Sequence, residues 1–95
     1  MNKISDVESH EQGVRYYSFH CPGCGRAHMI RVPGWTFNGD YEKPTITDSI
    51  LVNDDLSKAP PGVFRCHSHV TNGRIQFLGD CTHPLKGQTV DLPDF

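Results

Sequence analysis

The sequence predicts a mostly β domain of short antiparallel hairpins, zinc-ribbon-like, stapled by one structural zinc ion. Three observations carry this. Runs rich in β-branched and aromatic residues are punctuated by turn chemistry at Pro22-Gly23, Pro33-Gly34, Asn38-Gly39 and Asn72-Gly73. No run holds a sustained apolar period of 3.6 residues. Cys21 and Cys24 stand at the spacing with which one tight turn delivers two thiolates to a metal. A chain of 95 residues, 36% of them hydrophobic, has a limited core and needs such a staple.

Residues 1–13 are polar and end at Gly13, which makes them a flexible lead-in able to add an edge strand to a single domain over 14–95. The run 14–20 (VRYYSFH) is rich in β-formers and leads straight into the Cys21-Pro22-Gly23-Cys24-Gly25 knuckle. Residues 27–32 (AHMIRV) alternate and return from it, so the two runs together resemble half of a zinc ribbon. Trp35-Thr36-Phe37 is an aromatic strand followed by Asn38-Gly39, whose residues tolerate the positive φ of a two-residue hairpin turn. The β-branched run 45–52 (TITDSILV) is a strand weakened in its middle by Asp48-Ser49, and 53–62 is a surface loop. Residues 63–70 and 74–78 flank Asn72-Gly73 as a second hairpin, and 88–92 forms a last strand that Pro93 stops.

A net charge of −2 and a pI near 6.3 offer no basic face to nucleic acid or anionic lipid. The N-terminal residues lack the apolar core of a signal peptide and no run approaches the ~20 apolar residues of a membrane span, so the expected location is the cytoplasm. Four cysteines in a reducing compartment favour metal ligation over two disulfides. A redox role for the C-x-x-C pair would call for a βαβ pattern, which the sequence does not carry.

The second half of the ligand set follows from the Asn72-Gly73 turn. With those residues as the loop, Thr71 pairs with Arg74, Val70 with Ile75 and Ser68 with Phe77, while Cys66 falls opposite Gly79. Cys66, Ser68, Val70, Ile75, Phe77 and Cys81 then share the inner face. His67, His69, Arg74, Gln76 and Leu78 take the outer one. The expected ligands are Cys21, Cys24, Cys66 and Cys81; a bulge of one residue near Gly79 would bring His67 or His83 in place of a cysteine. His10 belongs to the solvated lead-in. His20 and His28 flank the knuckle, as surface residues or as donors to its sulfurs.

Several segments carry a resemblance: Cys21 to Gly25 with His28, Trp35-Thr36-Phe37-Asn38-Gly39-Asp40, Pro44-Thr45, Cys66-His67-Ser68, the run 73–78 with Asp80-Cys81-Thr82-His83, then 87–90 and 92–94. Over roughly residues 17–95 the chain resembles a family of small phage- and prophage-encoded zinc-binding proteins of uncharacterised function. More distantly it is similar to metal-binding proteins encoded beside bacterial ubiquitin-like conjugation systems. The resemblance implies zinc and no particular activity. An ammonia monooxygenase label that members have carried does not suit a chain without a copper or di-iron ligand set. His69 stands where an aromatic residue is usual, and Asp48 where proline is, which takes functional weight off His69.

The expected function is that of a non-enzymatic zinc module acting through a protein partner, a host factor or a virion component. Four cysteines would close the coordination shell and leave no open metal position for chemistry. Trp35, Phe37, Asn38, Asp40 and Tyr41, with Glu42, concentrate aromatics and carboxylates on one hairpin and form the expected partner surface; Trp35 and Phe37 read equally well as core. The alternative is a zinc-dependent hydrolase in which His67, His69 and His83 hold the metal and Asp80 or Asp40 is the base. Their exposed face argues against it. Nucleic-acid binding ranks last, because Arg26, Arg31, Arg65 and Arg74 are scattered among acids.

Overall fold

The structure, a computed structural model, describes residues 2–53 and 55–94. Met1, Asp54 and Phe95, which fall in the expected lead-in, surface loop and tail, lie outside the described residues. The described chain is all β: β1 (Ser5–Val7), β2 (Arg15–Cys21), β3 (Arg26–Val32), β4 (Thr36–Phe37), β5 (Ile46–Val52), β6 (Cys66–Thr71), β7 (Arg74–Phe77) and β8 (Thr89–Asp91). They form two antiparallel sheets, in the order β1-β2-β3 and β4-β5-β6-β7-β8.

The first sheet is the hairpin around the knuckle, paired from Arg15↔Val32 to Cys21↔Arg26. Period-two alternation sends Phe19 and Cys21 of β2, and His28 and Ile30 of β3, to the buried side. The lead-in supplies the edge strand β1 and is tied down more firmly than a solvated arm. Ile4 is buried, the Lys3 amide donates to the Tyr41 carbonyl, and the Lys3 ammonium donates to the Leu92 carbonyl.

In the second sheet the Asn72-Gly73 turn has φ of 51° and 79°, the left-handed pair that a two-residue hairpin requires. The register is the expected one, with Thr71↔Arg74, Val70↔Ile75 and Ser68↔Phe77. Cys66, Ser68 and Val70 accordingly face the core, while His67 and His69 face outward and stay half-buried. Phe19 and Ile30 from the first sheet, Ile46, Ile50, Val70, Ile75 and Phe77 from the second, and Ile4 and Leu92 flanking β1 and β8 belong to one apolar cluster. Each such side chain contributes roughly 1.5–3 kcal/mol relative to exposure.

Two elements depart from expectation. Asn38-Gly39 does not make a two-residue turn; β4 and β5 are joined by a wide loop over 38–45, in which only Gly39 of the pair has positive φ, at 81°. The side chains explain it. Asn38 Oδ1 accepts the amides of Asp40 and Thr45 at 3.1 Å each, and Asp40 Oδ1 accepts those of Glu42 and Lys43 at 2.9 Å each, so the loop is internally satisfied.

The second departure is in β5. Ile46 pairs with Val70 and Ile50 with Ser68, so the chain advances four residues on β5 against two on β6. A bulge holds the excess, with Asp48 at φ 73°, a left-handed conformation that costs an ordinary L-residue free energy. The residue that emerges from this strained bend is Ser49.

A candidate metal centre and a serine-histidine-aspartate array

The knuckle closes when the Gly25 amide donates to the Cys21 carbonyl at 2.9 Å and the Cys24 amide donates to Cys21 Sγ at 3.4 Å. Gly25 follows with φ 71°. His28 lies opposite Phe19 on the buried side of the same hairpin, its ring edge-on to that phenyl with centroids 5.7 Å apart. Cys66, the first residue of β6, brings its sulfur to 3.9 Å from Cys21 Sγ. One ligand atom from each of Cys21, Cys24, His28 and Cys66 lies within 4.8 Å of the others, a group able to hold a metal ion.

The chemistry of this group asks for a cation. Its hydrogen bond with Cys66, helped by the nearby His28 and the Cys24 amide, lowers the Cys21 thiol to about 4 against the opposition of burial. Burial and the negative charge on Cys21 push Cys24 up to about 11, and the hydrogen bond to Cys21, then burial, push Cys66 up as well. A divalent ion would favour the ionised form of all three thiols. His28 Nε2 is buried with no hydrogen-bond partner, a cost that coordination removes. The residues present fit a tetrahedral, sulfur-rich site.

Of the expected ligands, the structure thus brings Cys21, Cys24 and Cys66 together, with His28 beside them. Cys81 adjoins them through Cys66. It forms a second buried group with Cys66 and His83, and its sulfur exchanges two hydrogen bonds with the His67 backbone, accepting the amide and donating to the carbonyl at 3.2 Å each. The His83 ring stands edge-on to Phe77 with centroids 4.4 Å apart, and Nδ1 accepts the Leu85 amide at 3.2 Å. It also fills the space over Gly23, where a Cβ would come within 2.4 Å of the ring. His10 and His20 are exposed.

His67 is on the opposite face of β6 from Cys66, where its ring lies between Ser49 and Asp80. Its Nε2 is 2.9 Å from Ser49 Oγ and its Nδ1 is 3.1 Å from Asp80 Oδ2. With Nδ1–H donated to the carboxylate, Nε2 is left to accept the Ser49 hydroxyl proton, the arrangement that makes a serine nucleophilic. The three come from different places: Ser49 from the β5 bulge, His67 from β6, Asp80 from the turn after β7. The Trp35 indole N–H donates to the Ser49 carbonyl at 3.1 Å and pins the bulge. Cys81 pins the other side, joining the residue after Asp80 to the His67 backbone.

The residues expected to face a partner are engaged within the chain. Besides Trp35, the Phe37 ring lies 4.8 Å from that of Tyr17, Asn38 and Asp40 hold the 38–45 loop, and Tyr41 donates its hydroxyl to Asp6. His69 pairs across the strand with Gln76 and is not part of the array. Sequence reasoning gave Ser49 no role and His28 no place among the ligands. Ser49 had one signal, a polar pair interrupting a β-branched run. His28 had the parity of 27–32, which aligns it with the buried Ile30.

Residues 2–78 match the family model described as BubE, bacterial ubiquitination-like system serine protease. That is most of the chain; it takes in Ser49 and His67 and ends before Asp80. No curated protein and no solved structure gives a significant match.

Proposed function

We propose, since the chain belongs to the BubE family of bacterial ubiquitination-like system serine proteases, that Ser49, His67 and Asp80 are its catalytic triad and that it hydrolyses amide bonds in the proteins of such a system. The observation that carries this reading is the relay of contacts Ser49 Oγ to His67 Nε2 at 2.9 Å and His67 Nδ1 to Asp80 Oδ2 at 3.1 Å. Ser49 Oγ attacks the scissile carbonyl carbon as His67 Nε2 takes its proton. His67 then returns that proton to the departing amine, and water releases the acyl group from Ser49 by the same relay in reverse. Asp80 holds the imidazole in the required tautomer and offsets its positive charge.

This reading replaces the non-enzymatic module and separates the metal from the chemistry of the zinc-hydrolase alternative. Zinc is the ion that three thiolates and one imidazole best suit, and its place is structural, with Cys21, Cys24, His28 and Cys66 completing the shell. The site ties the first sheet to the start of β6, one residue from His67.

Diisopropyl fluorophosphate, which phosphorylates activated serines, tests the proposal. The adduct is expected on Ser49 by peptide mass mapping, and to disappear in Ser49→Ala and His67→Ala. A folded, metal-loaded protein that takes up no reagent would refute it.

A further inference from the structure

The strand that presents Ser49 also has an open edge. Strand β4 pairs with β5 only at Thr36↔Thr47 and Phe37↔Ile46, and among the described residues no strand pairs with β5 beyond Thr47 on the side away from β6. Leu51 lies directly opposite His67, whose amide and carbonyl both turn toward the β7 side, to Cys81 Sγ at 3.2 Å and to the Leu78 amide at 2.9 Å. The Leu51/His67 pair is therefore of the kind that exchanges no backbone hydrogen bonds, and the Leu51 amide and carbonyl point outward from the sheet. The Ser49 carbonyl, two residues earlier, points the same way and is taken by Trp35.

Leu51 is 45% exposed, and period two puts it on the face of Ser49 and His67, which makes it the apolar side chain beside the proposed nucleophile on that strand. An extended polypeptide that delivers a carbonyl to Ser49 Oγ while running along this edge would find, one pleat away, a free donor and acceptor pair and an apolar contact.

We infer that the outer edge of β5 at Leu51 is a substrate subsite: an extended polypeptide pairs with the Leu51 backbone, and the Leu51 side chain contacts an apolar residue of that substrate. The inference rests on Ser49 being the nucleophile. It assigns specificity to strand addition, in which main-chain bonds position the chain and alternate side chains select it.

The test uses the metal-loaded full chain and a pool of tryptic peptides from denatured serum albumin, read by mass spectrometry. Wild-type protein is expected to cleave within the pool beside apolar residues. On the best-cleaved peptide Leu51→Asp is expected to lose about tenfold or more in kcat/KM, with the loss carried by KM, while Leu51→Ile stays within about threefold of wild type. Amide exchange at Leu51 is expected to slow when that peptide is bound to Ser49→Ala. Reaction of wild type with diisopropyl fluorophosphate reports the triad separately. A protein that reacts but cleaves no peptide in the pool, or one whose KM is the same in Leu51→Asp, overturns the subsite and leaves the triad standing; one that does neither overturns both.

Discussion

The two faces of β6 carry two chemistries one residue apart. On the inner face Cys66 joins Cys21, Cys24 and His28, all but Cys24 buried, where thiols perturb one another and an imidazole nitrogen lacks a partner. On the outer face His67 touches Ser49 and Asp80 with its side chain a quarter exposed and that of Asp80 about half exposed. Burial suits a closed metal site, which gains from exclusion of water. Partial exposure suits a nucleophile that must meet a polypeptide too large to enter a pocket. On the proposed reading, the difference teaches that a domain of this size can separate stabilisation from catalysis by strand parity alone.

The largest effect is expected on the inner face. Cys66→Ser, or a strong chelator, should cost the folded state outright, since structural zinc binding is worth roughly 10–16 kcal/mol in small metal-dependent folds. Circular dichroism and metal analysis would record both losses together. Retention of the β signal without metal would break the division of labour.

Ser49→Ala comes next and should act on the outer face alone. Hydrolysis is expected to fall by about 1,000-fold or more, with the melting temperature within the few degrees that a surface change of about 0.5 kcal/mol allows. Asp80→Asn should cost about 100- to 10,000-fold in kcat by offering His67 a donor and favouring the wrong tautomer. Cys81→Ala crosses between the faces. It removes both sulfur bonds to the His67 backbone, so a loss of about 1–3 kcal/mol in stability is expected together with a fall in kcat, measured by denaturant melts and turnover.

The Asn72-Gly73 turn is a local signal, and it fixed the parity that separates Cys66 from His67 at the far end of β6. Cys21 and Cys24 were legible from spacing. His28 was within reach, because the hairpin register places it opposite Phe19. Ser49 was not, for it owes its position to a bulge whose two extra residues are set by pairing with a strand nearly twenty positions later. The partial exposure of His67 that argued against it as a metal ligand is what the proposed serine relay requires. The Asn38-Gly39 turn misled because side-chain acceptors on Asn38 and Asp40 stabilise a wider loop than the dipeptide alone implies.

The smallest effect concerns the periphery, away from both faces. Tyr41 donates to Asp6, and that bond, with burial second, pushes the phenol up to about 12. The folded chain thus prefers the protonated phenol. Its contribution is complete below about 10 and fades as the pH rises from 10 to 12. Tyr41→Phe should lower stability by no more than about 1 kcal/mol at neutral pH, and the difference from wild type should vanish in alkaline melts.

A titration that follows metal content and Ser49 labelling in one sample bears most directly on the claim that a metal staple behind β6 holds a serine relay in front of it. As chelator removes the ion, labelling by diisopropyl fluorophosphate should fall in step with bound zinc and return when zinc is restored. Full labelling of Ser49 in metal-free protein would contradict it.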